Sequence, residues 1–137
     1  MVLYTPGRTS GYPEERVESG IRLHFLGGGD EVGNVGCVLE DRTGTRVLID
    51  YGLAPTRPPR YPKECPPIEH AIITHSHIDH IGMAPWLVGQ HGATLHGTTL
   101  TAAVSEIMWR DTYKVSSIEG YPLPWDKRDL DAALNAW

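Results

Sequence analysis

The stretch that decides the fold is Thr74-His75-Ser76-His77-Ile78-Asp79-His80-Ile81-Gly82, which places three histidines and one aspartate within six positions. The apolar residues 71–73 precede it and have the character of a strand, and a helix-like pattern follows it. Neutral imidazole and carboxylate are ligands that zinc and manganese accept readily. The motif therefore predicts a metal site at a strand-to-helix junction.

The spacing of these side chains indicates how they converge. Alternate residues of an extended segment face the same side, so we expect His75, His77 and Asp79 to point to one spot. His80 falls on the first turn of the next element and points to a neighbouring spot. This arrangement suits two ions better than one, as in two-metal hydrolysis. The alternative is that these are ordinary surface or core histidines, which a cluster of this density disfavours.

Bulk properties limit the other possibilities. The chain has 137 residues, enough for one domain, and no apolar run reaches the ~20 residues of a membrane span. Residues 1–20 are polar, lack the apolar core of a signal peptide and are expected to form a flexible leader. The two cysteines form no metal-binding pair, which favours reduced thiols in a cytoplasmic protein. A net charge of −5 gives no support to a nucleic-acid surface, although bound cations would offset it locally.

Hydrophobic patterning predicts an α/β chain. The predicted strands cover residues 21–26, 34–40, 46–49, 71–74 and 93–96, and the predicted helices cover 79–90, a segment starting at 98, and 126–137. Unbroken apolar character predicts that the strand at 71–74 is buried on both faces. Pro85 is expected near the first turns of its helix or at a kink, and Asp126 is expected to cap the last helix. The helix from residue 98 carries an amphipathic stripe, formed by Leu100, Ala103, Val104, Ile107 and Met108.

Three other features bear on the site. The glycines at 27–29 do not match a dinucleotide fingerprint, because Val32 stands where the third glycine belongs. We expect this loop to turn tightly and approach the metal site or substrate, with Gly33 and Asn34 on the substrate side. Asp50 ends a strand and is either a turn residue or an acid that orients a ligand histidine. His91 and His96 are expected to be structural or surface residues, and His70, which precedes a strand, is not expected to be a ligand.

The His-x-His-x-Asp-His motif at 75–80, followed by Gly82, resembles the signature of the metallo-β-lactamase superfamily. Within that superfamily the chain is similar to the β-CASP branch of RNA-processing nucleases, which includes archaeal relatives of the cleavage and polyadenylation specificity factor. The resemblance extends over residues 21–136. The supporting stretches are 29–33, 48–52, 79–85 and 97–101.

The resemblance implies a fold, an activity and a set of ligands. The fold is the N-terminal half of an αββα sandwich, with residues 21–137 as a partial domain that stops before the cap insertion and the remaining ligands. The activity is metal-dependent hydrolysis of RNA, of the kind that processes mRNA 3′ ends. His75 and His77 would hold one ion and Asp79 and His80 another, zinc being expected and manganese the alternative. RNA is the expected partner, no membrane is involved, and a homodimer is a further option.

Two other functions remain open at this point. One is a small-molecule hydrolase of the same superfamily that acts on a thioester, lactone or lactam. The other is a non-catalytic metal-binding or scaffold subunit, which the retention of all four ligands of the motif disfavours. Because later ligands and the cap lie outside the resemblance, we expect the isolated chain to bind metal weakly, to leave RNA intact and to associate through uncovered apolar surface.

Overall fold

The computed structural model describes residues 2–4 and 20–137. The strands are β1 (Val2–Tyr4), β2 (Arg22–Gly27), β3 (Gly36–Glu40), β4 (Arg46–Tyr51), β5 (His70–Ile72) and β6 (Thr94–His96). The helices are α1 (Ile78–Ile81), α2 (Ala84–His91), α3 (Thr99–Glu119) and α4 (Lys127–Leu134). The predicted α/β class is confirmed. Most of the predicted leader lies outside the described residues, and β1 is a strand that the sequence patterning did not predict.

These six strands form one mixed sheet whose spatial order follows the chain order. Strands β2, β3 and β4 are antiparallel neighbours, whereas β4, β5 and β6 run parallel. Parallel neighbours need crossover connections, which here are the loop after β4 and the α1–α2 pair after β5. The carboxyl ends of β4 and β5 therefore meet at one edge of the sheet, next to the start of α1.

The core lies on one face of the sheet, under the helices. The sheet contributes the buried side chains Leu26, Val38, Leu48 and Ala71 to a cluster that also contains residues of α1, α2 and α4. Helices α2 and α4 pack against each other on this face. Ala71 of β5 is fully buried, but its neighbour Ile72 is 44% exposed. The prediction that this strand is buried on both faces is therefore wrong, because the described helices cover only one.

The predicted helix at 79–90 is two helices. α1 ends at Ile81, and α2 begins at Ala84 with Pro85 in its first turn. Proline fits there because the first turn of a helix has no intrahelical partner for its N–H groups. His77 is the N-cap of α1, so the metal motif runs from the end of the β5 loop into this short helix.

α3 buries a face different from the one that its apolar pattern predicts. Leu100 and Ile107 of the predicted stripe are largely exposed, and the fully or nearly buried residues are Thr101, Ser105 and Trp109. Two small side chains let α3 approach the rest of the core closely. The indole N–H of Trp109 donates a hydrogen bond of 2.8 Å to the carbonyl of Ile81, which fixes the orientation of α3 on α1.

The last helix confirms its predicted cap. The Asp126 carboxylate accepts hydrogen bonds from the backbone N–H groups of Arg128 and Asp129, and the Asp129 carboxylate accepts one from the backbone N–H of Asp126. Together these bonds satisfy three N–H groups at the start of the helix, in the reciprocal arrangement of a capping box. In residues 2–4 and 20–137, no helix is both long and apolar enough to cross a membrane.

Both cysteines are free thiols. Cys37 on β3 is half-buried and Cys65 in the loop before β5 is buried. Burial disfavours the charged thiolate and raises the pKa of Cys37 to about 11 and that of Cys65 to about 12. Neither thiol is therefore a reactive nucleophile at neutral pH.

Candidate metal centre

The predicted metal ligands lie at the edge of the sheet where β4 and β5 end. His75 and His77 belong to the loop after β5, and Asp79 and His80 belong to α1. Asp50 reaches the same place from β4, which is the parallel neighbour of β5. The strand-to-helix context that the motif needs is therefore present.

The three imidazole rings of the motif form a cluster. The ring centroids of His75 and His77 are 4.7 Å apart in an edge-to-face arrangement, and those of His75 and His80 are 4.0 Å apart. An Asp79 carboxylate oxygen is 3.8 Å from Nε2 of His80. The structure thus brings together the four side chains that the sequence analysis selected, with the ring of His75 nearer to His80 than to His77.

Asp50 connects this cluster to the core. It is 2% exposed, and its Oδ2 is 2.7 Å from Nδ1 of His80. The same carboxylate accepts 2.8 Å and 2.7 Å hydrogen bonds from the backbone N–H and the hydroxyl of Thr74. Asp50 has a φ of +57°, a left-handed conformation that aspartate tolerates better than most residues. The predicted contact between Asp50 and a histidine of the cluster is present.

These hydrogen bonds determine which ring nitrogens of His75 and His80 are available to bind a metal ion. An ionised carboxylate only accepts, so Nδ1 of His80 carries the proton and Nε2 keeps a free lone pair. The Thr74 hydroxyl gives its only proton to Asp50, so its contact of 2.9 Å with Nδ1 of His75 makes that nitrogen a donor too. Asp50 thus prepares His80 directly, and His75 through Thr74, to offer Nε2 as a ligand.

The backbone of α1 is held by the two loops beside it. The N–H of Val35 donates to the carbonyl of Asp79 at 2.9 Å, and the N–H of Gly52 donates to the carbonyl of Val35 at 2.9 Å. Gly52 lies so close to α1 that a Cβ there would overlap the Asp79 carbonyl. The glycine-rich loop and the turn after β4 therefore form one packed unit with the metal motif.

The predicted substrate-side loop residues lie at the turn that leads into this unit. Gly33 has a φ of +91° and Asn34 a φ of +39°. Asn34 is buried, and its amide donates a 3.0 Å hydrogen bond to Glu31, while Val32 at the loop tip is almost fully exposed. Asn34 shapes the loop from inside, and the substrate-side position of the loop stays a prediction.

The site residues fit a borderline divalent ion by donor type and by proximity, since imidazole and carboxylate are its usual ligands. As the side chains are placed, no group of three or more His, Cys, Asp or Glu in the described part of the chain is arranged to hold an ion. Rotation about side-chain torsions is therefore needed to bring three donors to one centre. The Nε2 atoms of His75 and His80 are the ring nitrogens that the hydrogen bonds leave available as metal donors.

The sequence analysis missed three residues that position the site. Thr74 bridges Asp50 and His75, and the indoles of Trp109 and Trp125 donate to the carbonyls of Ile81 and Gly82, each at 2.8 Å. A threonine beside a histidine motif carries no metal-binding signal of its own. Nothing local in the sequence identifies the carbonyls that the two tryptophans bind.

The amino-acid sequence of the chain is similar to those of several known proteins. The sequence profile of the Metallo-beta-lactamase superfamily matches residues 28–136. The chain is 35% identical over 123 residues to the Transcription termination factor FttA of Lokiarchaeum sp., covering 83% of this chain and 19% of that protein. It is 31% identical over 108 residues to RNase aCSPSF2 of Saccharolobus solfataricus, covering 75% and 22% respectively.

A eukaryotic protein shows the same relationship. The Cleavage and polyadenylation specificity factor 73 of Drosophila melanogaster is 28% identical over 122 residues, covering 83% of this chain and 18% of that protein. The chain thus spans about a fifth of the length of these curated relatives. Its similarity to them lies in the region that contains the histidine cluster.

Proposed function

Because the chain belongs to the metallo-β-lactamase superfamily, we propose that its histidine cluster is a binding site for divalent metal ions. His75 and His77 would hold one ion and Asp79 and His80 a second, with zinc as the expected metal and manganese as the alternative. A bound divalent ion supplies Lewis acidity, which lowers the pKa of water and stabilises negative charge on phosphate oxygens. The observation that carries the proposal is the hydrogen bonding that leaves Nε2 of His75 and His80 free.

The substrate that we propose is RNA. The predicted resemblance to the RNA-processing branch is confirmed by the relatives, which include an RNase and a cleavage and polyadenylation specificity factor. Since the chain spans about a fifth of their length, RNA phosphodiester hydrolysis in mRNA 3′-end processing is our proposal for the whole protein. Residues 75–80 would provide its first group of metal ligands.

The charge of the chain suggests how metal and RNA binding are linked. The chain carries a net charge of −5, which opposes the approach of a polyphosphate. Two arginines of the loop between β4 and β5, Arg57 and Arg60, are paired with Glu119 and Glu31. Positive charge would therefore come mainly from bound ions. RNA binding at this site should consequently require the metal.

The test uses the 137-residue chain, a chelator and a single-stranded RNA that carries 4-thiouridine for photo-crosslinking. With zinc or manganese, we expect metal binding and a crosslink to RNA, both reduced at least tenfold in His77→Ala. We expect both RNA cleavage and hydrolysis of thioester, lactone and β-lactam substrates to be undetectable for the isolated chain.

Three results would count against the proposal. Equal crosslinking with metal and with chelator would show that RNA does not bind through the ions. Metal binding that is unaffected by His77→Ala would place the ions elsewhere. Metal-dependent hydrolysis of a small-molecule substrate without an RNA crosslink would favour the small-molecule hydrolases of the superfamily. Glu106→Gln on the exposed side of α3 is the matched surface control and should bind like the unmodified chain.

A further inference from the structure

Two other histidines meet on the sheet, outside the cluster already described. His70 begins β5 and His96 ends β6, and the parallel register places His96 opposite Ile72. Because side chains alternate along a strand, His70, Ile72 and His96 share one face of the sheet. Nδ1 of His70 lies 3.0 Å from Nε2 of His96, and the ring centroids are 5.2 Å apart.

We propose that His70 and His96 form a second binding site for a divalent transition-metal ion, separate from the histidine cluster at 75–80. Imidazole nitrogens bind zinc at about 2.0–2.1 Å, so two nitrogens on one ion lie roughly 2.9 Å apart at a right angle and roughly 3.4 Å apart in a tetrahedron. The observed 3.0 Å lies within this interval. An ion bound to both nitrogens would lie beside the line that joins them, so it can replace the shared proton once the two rings tilt toward it.

The surroundings select the class of ion. Both rings are exposed, so water can fill the remaining coordination positions of the ion. Two neutral imidazoles suit nickel, copper, cobalt and zinc, whereas magnesium and calcium require oxygen ligands. In the described part of the chain no third His, Cys, Asp or Glu completes the group. The site is consequently a two-histidine site of moderate affinity.

The backbone holds the two histidines in position before any ion binds. The N–H of Ile73 donates to the carbonyl of His96 at 2.8 Å, and the N–H of Thr94 donates to the carbonyl of Glu69 at 2.9 Å. These bonds fix β6 on β5, so the backbone loses little conformational entropy when an ion binds. β6 is an edge strand among the described strands, with β5 as its neighbour. An ion that bridges His70 and His96 would therefore also stabilise the pairing of β6 with β5.

The experiment separates this site from the first cluster. In the double variant His75→Asn/His77→Asn, isothermal titration calorimetry with nickel chloride should still show binding. Adding His96→Asn should lower the nickel affinity at least tenfold. Adding His91→Gln, a change in a histidine outside both groups, should leave the affinity within twofold. Magnesium chloride should give no binding at the His70–His96 pair.

A second measurement uses the unmodified chain and so does not depend on the folding of any variant. In NMR spectra, substoichiometric nickel should broaden the ring signals of His70 and His96 together. Loss of all nickel binding in the His75→Asn/His77→Asn variant, with unbroadened His70 and His96 signals in the unmodified chain, would overturn the proposal. Nickel affinity unchanged by His96→Asn would also overturn it.

Discussion

Asp50→Asn tests the central claim about the metal centre, because asparagine keeps the shape of the side chain and changes only its hydrogen-bonding chemistry. The amide oxygen can still accept from the Thr74 N–H. The amide nitrogen takes the place of Oδ2, which contacts Nδ1 of His80 and the Thr74 hydroxyl. An amide N–H donates, so His80 must accept through Nδ1 and move its proton to Nε2. The variant therefore blocks the nitrogen that is meant to bind metal.

The expected magnitudes follow from the groups involved. Loss of a partner that orients a metal-binding histidine typically lowers metal affinity by about 10–100-fold. Replacing hydrogen bonds to a buried charge with weaker neutral ones should lower the free energy of unfolding by about 1–3 kcal/mol. The metal-free chain should therefore remain folded while its zinc affinity falls by one to two orders of magnitude.

Two measurements check this reasoning. Competition with a chromogenic chelator gives the zinc affinity, and ring-nitrogen NMR of the metal-free chain gives the tautomer of His80. We expect the proton on Nδ1 in the unmodified chain and on Nε2 in Asp50→Asn, with Asp131→Asn on the exposed surface of α4 as the matched control. Unchanged zinc affinity together with an inverted tautomer would refute the assignment of Nε2 as the ligand atom.

Three further predictions concern the supports of the site. Trp109→Phe removes the hydrogen bond to the Ile81 carbonyl and leaves that buried group unpaired, so urea titration should show a loss of about 1–3 kcal/mol in unfolding free energy. Gly52→Ala places a methyl group against the Asp79 carbonyl, and we expect it to lower both the melting temperature and the zinc affinity. If both values stay the same, α1 can move away from the added methyl group freely. Cys65, with its pKa raised to about 12, has a smaller thiolate fraction than an ordinary thiol, so at pH 8 iodoacetamide should modify it roughly 100–1000-fold more slowly than in the urea-unfolded chain.

Local signals in the sequence were enough to predict most of the fold. Alternation along β2, β3 and β4 and the cap at Asp126 depend on near neighbours, and the structure has these elements close to their predicted bounds. The buried face of α3 could not be predicted in the same way. Its apolar stripe favours Leu100 and Ile107, but the face that α3 buries in the folded chain carries Thr101, Ser105 and Trp109 instead. Which face of a helix is buried depends on the elements that pack against it, so the sequence of the helix alone does not determine it.

In the candidate site, too, the features that depend on near neighbours in the sequence could be predicted, and those that depend on distant residues could not. The spacing of the motif and the position of Asp50 at the end of a strand were visible in the sequence, and the structure brings these side chains together. The role of Thr74 depends on Asp50, which is 24 residues away in the chain, and Trp109 acts on a carbonyl 28 residues away. Both roles follow from the parallel pairing of β4 with β5 and from the packing of α3, so they appear only in the folded chain.

α1 shows why these distant contacts matter for the metal site. It has four residues, and a single helical turn is unstable alone because nucleation fixes several dihedral angles for one hydrogen bond. Three of its four carbonyls are held from outside the helix: Leu53 donates to Ile78, Val35 to Asp79 and Trp109 to Ile81. Trp125 holds the carbonyl of the next residue, Gly82, in the same way. Two proposed metal ligands, Asp79 and His80, are therefore positioned by tertiary packing and not by helix propensity. Weakening any one of these contacts should loosen α1 locally, and the loss should appear in metal affinity before it appears in the global unfolding of the chain.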